Sequence, residues 1–428
     1  MLNIRQLGAV GDGETLETTT IQNAIDLAAK EGKTLLFPPG AYKTGTLFLR
    51  SGTSIELQEN AVIQASDNID DYVEDISKIK KSLRFYLFWA KDASDIAIRG
   101  KGLIDGAGRA FWQDISFSGT HIDNFPPLGP LHYEVLKPKD KRPCVIYCEN
   151  TTNITLDGFT IRHSPSYTVW LLGCSNATIQ NLTIRNQRFG PNTDALDIDC
   201  SDNVTIQNCD IDAGDDCVAI KSDAHRLGKA KPCENIIVKN CKFVTATCAI
   251  RVGYEGDAPI RNCTFSNLDI QDTRHAIDII SIAPGELPFT KIVTGTPISD
   301  LTFENIRLTN VAKAIFCWAG NVEGVDTYNS SITNIRFRNI KGDVLESSSF
   351  ISARTDCAIT DITLEDISLT LDRTLPSIGD DFIPSHWGGQ SFNALMTIKN
   401  AGNFTFKNVL LNTKNNPALR IIKESFKN

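Results

Sequence analysis

NATIQNL (residues 176–182) and NVTIQNC (residues 203–209) are one pattern written twice. Each reads Asn, apolar, x, apolar, x, Asn, x. The same pattern begins at Asp95 (DIAIRGK), Asn153 (NITLDGF), Asn235 (NIIVKNC), Asp300 (DLTFENI), Asn334 (NIRFRNI), Asp361 (DITLEDI) and Asn403 (NFTFKNV), with a shifted copy, RNCTFSNLDI, over 261–270. From Asn153 to Asn176 is 23 residues, and from Asn176 to Asn203 is 27. Each unit alternates with period 2, is rich in β-branched residues and is punctuated by Asn, Asp and Gly, which is strand and turn chemistry. A unit this short cannot bury a core alone, but stacked units bury one between them.

The expected fold is therefore all-β: a right-handed parallel β-helix, with coils about 4.8 Å apart and Asn and apolar side chains in internal ladders. Propeller blades need about 40–50 residues and a meander, which 23 and 27 do not supply. One helix is expected near the start. Thr18-Thr19-Thr20 leads into IQNAIDLAAKEGK, with apolar Ile21, Ala24, Ile25, Leu27 and Ala28 and a stop at Gly32. It would cap the open apolar end of the coil stack. The chain is expected to be a single β-helix domain over 1–428, with an N-terminal cap over about 1–50. An inserted loop spans about 107–143 and a second about 284–297.

The 428 residues carry a net charge of −8, with 41% hydrophobic and 22% charged residues. That balance argues against nonspecific nucleic-acid binding, which needs a basic face. No apolar run approaches the ~20 residues of a membrane span. MLNIRQLGAVGDG has neither the basic nor the apolar region of a secretory signal. The expected location is thus the cytoplasm, or export with the signal peptide already absent. The 12 cysteines include no CxxC pair and sit in apolar runs, so they read as small buried side chains. The N-glycosylation sequons at Asn153, Asn176, Asn181, Asn203, Asn262 and Asn403 fall mostly in the repeat strands and read as structural.

The repeat frame gives meaning to the acidic stretch NTDALDIDCSDNVTIQNCDIDAGDDCVAIK, 192–221. Aligning NTDALDID with GDDCVAIK sets Asp194 opposite Asp216, Ile198 opposite Ile220 and Asp199 opposite Lys221. Asp215 then lies beside the pair, and three carboxylates share one patch. Close carboxylates resist joint ionisation, and an acid beside an ionised partner can protonate a leaving oxygen while the partner activates water. A calcium site or a plain acidic turn edge would use the same residues, and spacing alone leaves these readings open.

Other residues join as candidates. Ala-Ile-x recurs as AIK (219–221), AIR (249–251), AID (276–278) and AIF (314–316). It is expected to set Lys221 and Arg251 side by side, either to bind substrate or to neutralise Asp199 and Asp278. Asp197 flanks the patch. His163 lies one coil before the acids and is a substrate-contact candidate against a structural role. Trp112, Trp170, Trp318 and Trp387 are candidate sugar platforms, each also suited to the core.

At this point the residues resemble glycoside hydrolase family 28, the polygalacturonase family. The N-terminal coils from Arg5 to Leu57 and LIDGAGRAFW (103–112) carry the likeness. So do HSPSYTVW (163–170), NTDALDID (192–199) and GDDCVAIKS (214–222). The resemblance implies inverting hydrolysis of a pectic carbohydrate with no cofactor and no metal. It implies Asp215 as general acid, with Asp194 and Asp216 holding and activating water. It also shows two departures. TATCAIRVGYEG (245–256) has Cys248 where the family carries the His of a Gly-His-Gly motif. TRHAIDIIS (273–281) has Arg274 and His275 but no Arg-Ile-Lys triplet. Lys221, Arg251, Arg274 and His275 are then the candidates for binding a uronate or another plant glycan. Two rival readings are a polysaccharide lyase and a noncatalytic glycan-binding β-helix.

Overall fold

The structure, a computed structural model, describes residues 1–78, 84–114, 135–281, 295–320, 329–353, 357–372, 395–414 and 421–424. The fold is a right-handed parallel β-helix, as the repeat predicts. The described residues form two compact units, Met1–Cys217 and Val218–Asn428.

In the first unit each coil contributes strands to three parallel sheets. The first sheet stacks Leu47–Leu49, Phe85–Lys91, Pro143–Glu149, Val169–Leu172 and Leu196–Asp199. The second aligns Leu35, Ile55, Ile98, Leu156, Ile179 and Ile206 in one inward column. The third aligns Tyr42, Ile63, Ile104, Ile161, Ile184 and Ile211. Alternate residues face opposite sides of a strand, so the apolar positions of these repeats fall on top of one another and are buried.

The second unit uses longer strands that run through their corners, such as Ile260–Ile280, Pro297–Ala319 and Ser331–Ala353. Phe265, Phe303 and Phe337 stack in register there. Their ring centroids are 4.7 and 5.2 Å apart and the rings are nearly coplanar, at 4° and 15°.

The Asn residues of the repeat do not lie in internal ladders. Asn153, Asn176, Asn203, Asn235, Asn262, Asn334 and Asn403 are exposed and take left-handed backbone, with φ between 54° and 59°. Asn tolerates that conformation where other residues pay a steric cost. Their amides pair from coil to coil on the outside, as in Asn153 Nδ2 to Asp95 Oδ1 at 2.9 Å and Asn334 Nδ2 to Asp300 Oδ1 at 2.6 Å. This places the sequon asparagines at exposed corners, with the Asn153, Asn176, Asn181, Asn203 and Asn403 amides already engaged. An exposed hydrogen bond contributes about 0.5–1.5 kcal/mol, while truncating a buried Phe costs about 3–5 kcal/mol. The aromatic and aliphatic columns therefore dominate stability, and the Asn ladder sets the corner.

The helix forms over Thr18–Lys30 and buries Ile21, Ala24, Ile25 and Ala28 against the strands Thr34–Phe37 and Leu47–Leu49. Thr18, Thr19 and Thr20 are its first turn; Glu17 is the cap position. The 107–143 stretch follows the coil strand Leu103–Asp105. Its described part holds a short turn, Gly108–Phe111, and an antiparallel pair, Trp112–Asp114 with Leu136–Pro138. The second insertion lies mostly outside the described residues. The described cysteines are all buried except the half-buried Cys357.

Candidate active site

In the first unit, one kind of corner carries most of the acidic candidates. It joins the third sheet to the first, and three copies stack, over 163–168, 186–195 and 214–217. Backbone hydrogen bonds fix their register. Thr168 N donates to Asp194 O at 2.8 Å, Ala195 N to Asp216 O at 2.8 Å and Leu196 N to Cys217 O at 3.2 Å. In a parallel ladder this sets Asp194 opposite Asp216, as the 22-residue spacing predicts. Asp194 and Asp216 are buried, while Asp215 is half-buried and has the freest approach from solvent. Asp197 and Asp199 are fully buried, and Asp197 registers against Trp170.

Asn186 ties the first two corners together. Its Oδ1 accepts from Ser164 N at 3.0 Å, and its Nδ2 donates to Thr168 Oγ1 at 2.8 Å and Thr193 O at 3.2 Å. Gly214, just before the two acids, packs so closely that a Cβ there would lie 2.4 Å from Gln187 O and from Thr193 Oγ1. Gly190 leaves room in the same way for Thr193 and Trp112.

Arg142 completes this corner from below. Its buried guanidinium donates from Nη1 to the carbonyls of Pro191 and of Pro165, the latter at 3.3 Å, and from Nη2 to Asn192 Oδ1 at 2.6 Å. Burial pushes its pKa down to about 10, and the nearby charges of Tyr167, Asp194 and Asp215 work the other way. At neutral pH a buried cation thus sits in the field of two of the three acids. Sequence reading missed Arg142; the only signal was the basic run KPKDKR, whose last residue it is.

Trp112 braces the same corner rather than offering a sugar platform. It is buried, and Nε1 donates to Pro165 O at 2.9 Å. His163 is exposed, in left-handed backbone, with Nδ1 3.2 Å from Asp105 Oδ1. Burial raises the Asp105 carboxyl, but His163, the Ala107 N–H and Arg162 outweigh it and bring it down to about 2.

The cationic candidates lie in the second unit and are buried. Lys221 Nζ meets Glu255 Oε2 at 3.0 Å, and Arg226 Nη2 meets Glu255 Oε1 at 3.0 Å. The strand register pairs Arg251 with Ala219, so Lys221 is not beside Arg251 but two residues further along. The Ala-Ile-x alignment fails here because the two strands are offset, with a register irregularity after Ile220. The rest of that ladder holds: Arg251 registers with Asp278, and Asp278 with Phe316. Arg251 Nη1 reaches Asp278 Oδ2 at 3.3 Å, which is the neutralising pair expected for it, and its guanidinium lies 5.1 Å from the Tyr254 ring centroid. His275 registers with Cys248 on one side and Lys313 on the other. Its Nδ1 lies 2.9 Å from Asp278 Oδ1. Burial pushes the His275 pKa down against the pull of Asp278. Burial raises the Asp278 carboxyl, but His275, Arg251 and Lys313 hold it below the ordinary range. Arg274 is buried, with Nε donating to Ala246 O at 3.4 Å. Trp170 and Trp318 are core residues, the latter packed with Ile280, Phe316 and Tyr254. Trp387 lies outside the described residues.

The profile of Glycosyl hydrolases family 28 matches residues 30–379. The chain belongs to family 28. It is similar to a probable polygalacturonase of Vitis vinifera, 30% identical over 263 residues, covering 57% of this chain and 49% of that protein. The chain thus spans about half the length of that relative. Exopolygalacturonase B of Aspergillus niger is 26% identical over 405 residues, covering 86% of this chain and 85% of that one. Among solved structures, the family 28 exopolygalacturonase of Yersinia enterocolitica superposes with a TM-score of 0.65 at 18% identity, covering 94% of this chain and 78% of that one. At that identity the likeness speaks for the fold. Within this family 28 chain, the NTD and GDD segments are the ones that the corner geometry brings into register.

Proposed function

We propose that the protein is an inverting glycoside hydrolase acting on a pectin-type, galacturonate-containing polysaccharide or oligosaccharide. The observation that carries this reading is the register of Asp194 opposite Asp216, with half-buried Asp215 at the same corner. Membership of family 28 and the polygalacturonase relatives support the substrate class.

In this mechanism Asp215 is the general acid. It gives its proton to the glycosidic oxygen as the bond to the anomeric carbon breaks. Asp194 and Asp216 hold a water on the opposite face and take its proton as it attacks, which inverts the anomeric centre. Arg142 keeps the corner rigid and places positive charge behind the acids. His163, Asp197, Lys221, Arg251, Arg274 and His275 remain the proposed substrate-side residues.

The test is reducing-end release from polygalacturonate and a panel of pectic oligosaccharides, with the product anomer read by NMR. Asp215→Asn is expected to lower kcat by about a thousandfold or more, with an unchanged melting temperature. A fully active Asp215→Asn protein, or a product of retained configuration, rejects the mechanism. A chelator-sensitive unsaturated uronate product would make the protein a lyase instead.

A further inference from the structure

The first sheet carries a second feature away from the carboxylates. Phe48, Trp89, Tyr147, Trp170 and Asp197 are in register and form one outward column. Tyr147 and Trp170 are fully buried, so the column is closed over in its middle. Phe48 and Trp89 are half-buried, with ring centroids 5.2 Å apart and planes 33° apart. Beside them a shallow pocket of about 430 Å³ is lined by Phe48, Arg50, Ser51, Trp89, Lys91 and Asp92. The Arg50 guanidinium lies 5.3 Å from the Phe48 ring centroid. Arg50 pairs with Asp26 at 3.3 Å and Lys91 with Glu149 at 3.2 Å, and both cations stay solvent-accessible, at 56% and 38%. The Arg50–Asp26 pair is exposed and holds weakly, and the buried Glu149 keeps Lys78 at 2.7 Å when Lys91 turns away, so both cations can turn to an incoming anion.

We infer that this pocket is a secondary binding site for an acidic, uronate-bearing oligosaccharide segment. The aromatic faces suit the apolar C–H face of a sugar ring. Arg50 and Lys91 suit its carboxylate. Asp92 on the rim disfavours a second carboxylate there, which limits the pocket to about one acidic sugar. Four coil steps separate Phe48 from Asp197, about 19 Å at the inter-strand spacing. One sugar cannot bridge that distance, and the buried Tyr147 and Trp170 lie between. The pocket is a tether rather than a continuation of the cleavage site. Holding a polymer there raises its effective concentration at the carboxylates without touching the chemistry. The identity of the ligand rests on the hydrolase reading above; the pocket itself does not.

The experiment titrates polygalacturonate and digalacturonate into the protein carrying Asp215→Asn, which prevents turnover, with and without two pairs of changes. One pair is Phe48→Ala with Trp89→Ala. The other is Arg50→Gln with Lys91→Gln, which leaves the aromatic packing in place and keeps the fold. Each pair is expected to weaken polygalacturonate binding about fivefold or more and digalacturonate binding far less, since the dimer is too short to reach both sites at once. In the otherwise native protein, the charge pair raises KM on the polymer by a similar factor with kcat unchanged. Hydrolysis of the polymer with equal polymer affinity in the charge-pair variant overturns the site while the hydrolase reading stands. Polymer binding that depends on the pair, without any cleavage by the native protein, supports the site and rejects the hydrolase reading. Absence of polymer binding by the parent overturns the site.

Discussion

Arg142 donates from Nη2 to the side-chain oxygen of Asn192, fifty residues further on, at 2.6 Å. It fastens an inserted segment to the corner that presents Asp194. With its contacts to the Pro165 and Pro191 carbonyls, one buried guanidinium satisfies three acceptors in two successive corners. Replacing it with Met strands those acceptors and removes the buried positive charge near Asp194 and Asp215. Each buried acceptor left unmet costs about 1–3 kcal/mol. Arg142→Met is expected to lose about 2–4 kcal/mol of stability and at least tenfold in kcat. Arg142→Lys keeps the charge but not the planar geometry, and is expected to regain stability more than activity. Denaturant unfolding and kcat, measured on both variants, check this. Wild-type kcat in Arg142→Met would show that the corner does not need it.

Gly214 tests the same corner from the other side. A methyl group at this position meets a backbone carbonyl, Gln187 O, at 2.4 Å, which cannot yield as a flexible side chain would. The backbone leading into Asp215 and Asp216 must then move. Gly214→Ala is expected to cost about 1–3 kcal/mol and to lower kcat/KM about tenfold or more, since small misplacement of reacting groups is expensive. Gly402, where an added Cβ meets nothing within 4 Å, serves as the control. Gly402→Ala should be neutral in both measurements.

His275 links pH to the stability of the second unit. It is buried with its pKa pushed down, so the folded state resists protonating it. The unfolded chain takes up that proton near pH 6.5. Below about pH 6.5 the unfolded state therefore binds more protons, and stability falls as the pH drops towards the folded value. Asp278 contributes in a lower window. Its folded pKa is held below normal, so its share is present above about pH 4 and is lost as pH falls through the folded value. Arg251 and Lys313 face the same pair. The urea midpoint is expected to drop between pH 7 and 5.5, and His275→Gln should flatten most of that drop. An unchanged slope in His275→Gln would assign the pH response elsewhere.

Much of the fold was legible because the repeat is a local code. Alternating apolar residues and left-handed Asn corners act within a few residues, and stacking copies them from coil to coil. Only the side of the Asn ladder was misread, since periodicity does not say whether a corner points inward or outward. The acidic corner was legible for the same reason: a spacing of 22 residues is one coil, and it sets Asp194 opposite Asp216.

What the sequence could not reveal lies off the repeat. Arg142 belongs to an insertion, and its partners are 23 to 50 residues away along the chain. Trp112 seemed free to stack on a sugar until its Nε1 was found on Pro165 O. Lys221 was expected beside Arg251, but an offset in register gave it Glu255. Sequence by itself determined the β-helix and the register of Asp194 opposite Asp216, because both follow from a periodic backbone. Tertiary structure alone decided which charges are buried, what they pair with and what holds the corner still. Those depend on insertions and register shifts, and neither obeys the period.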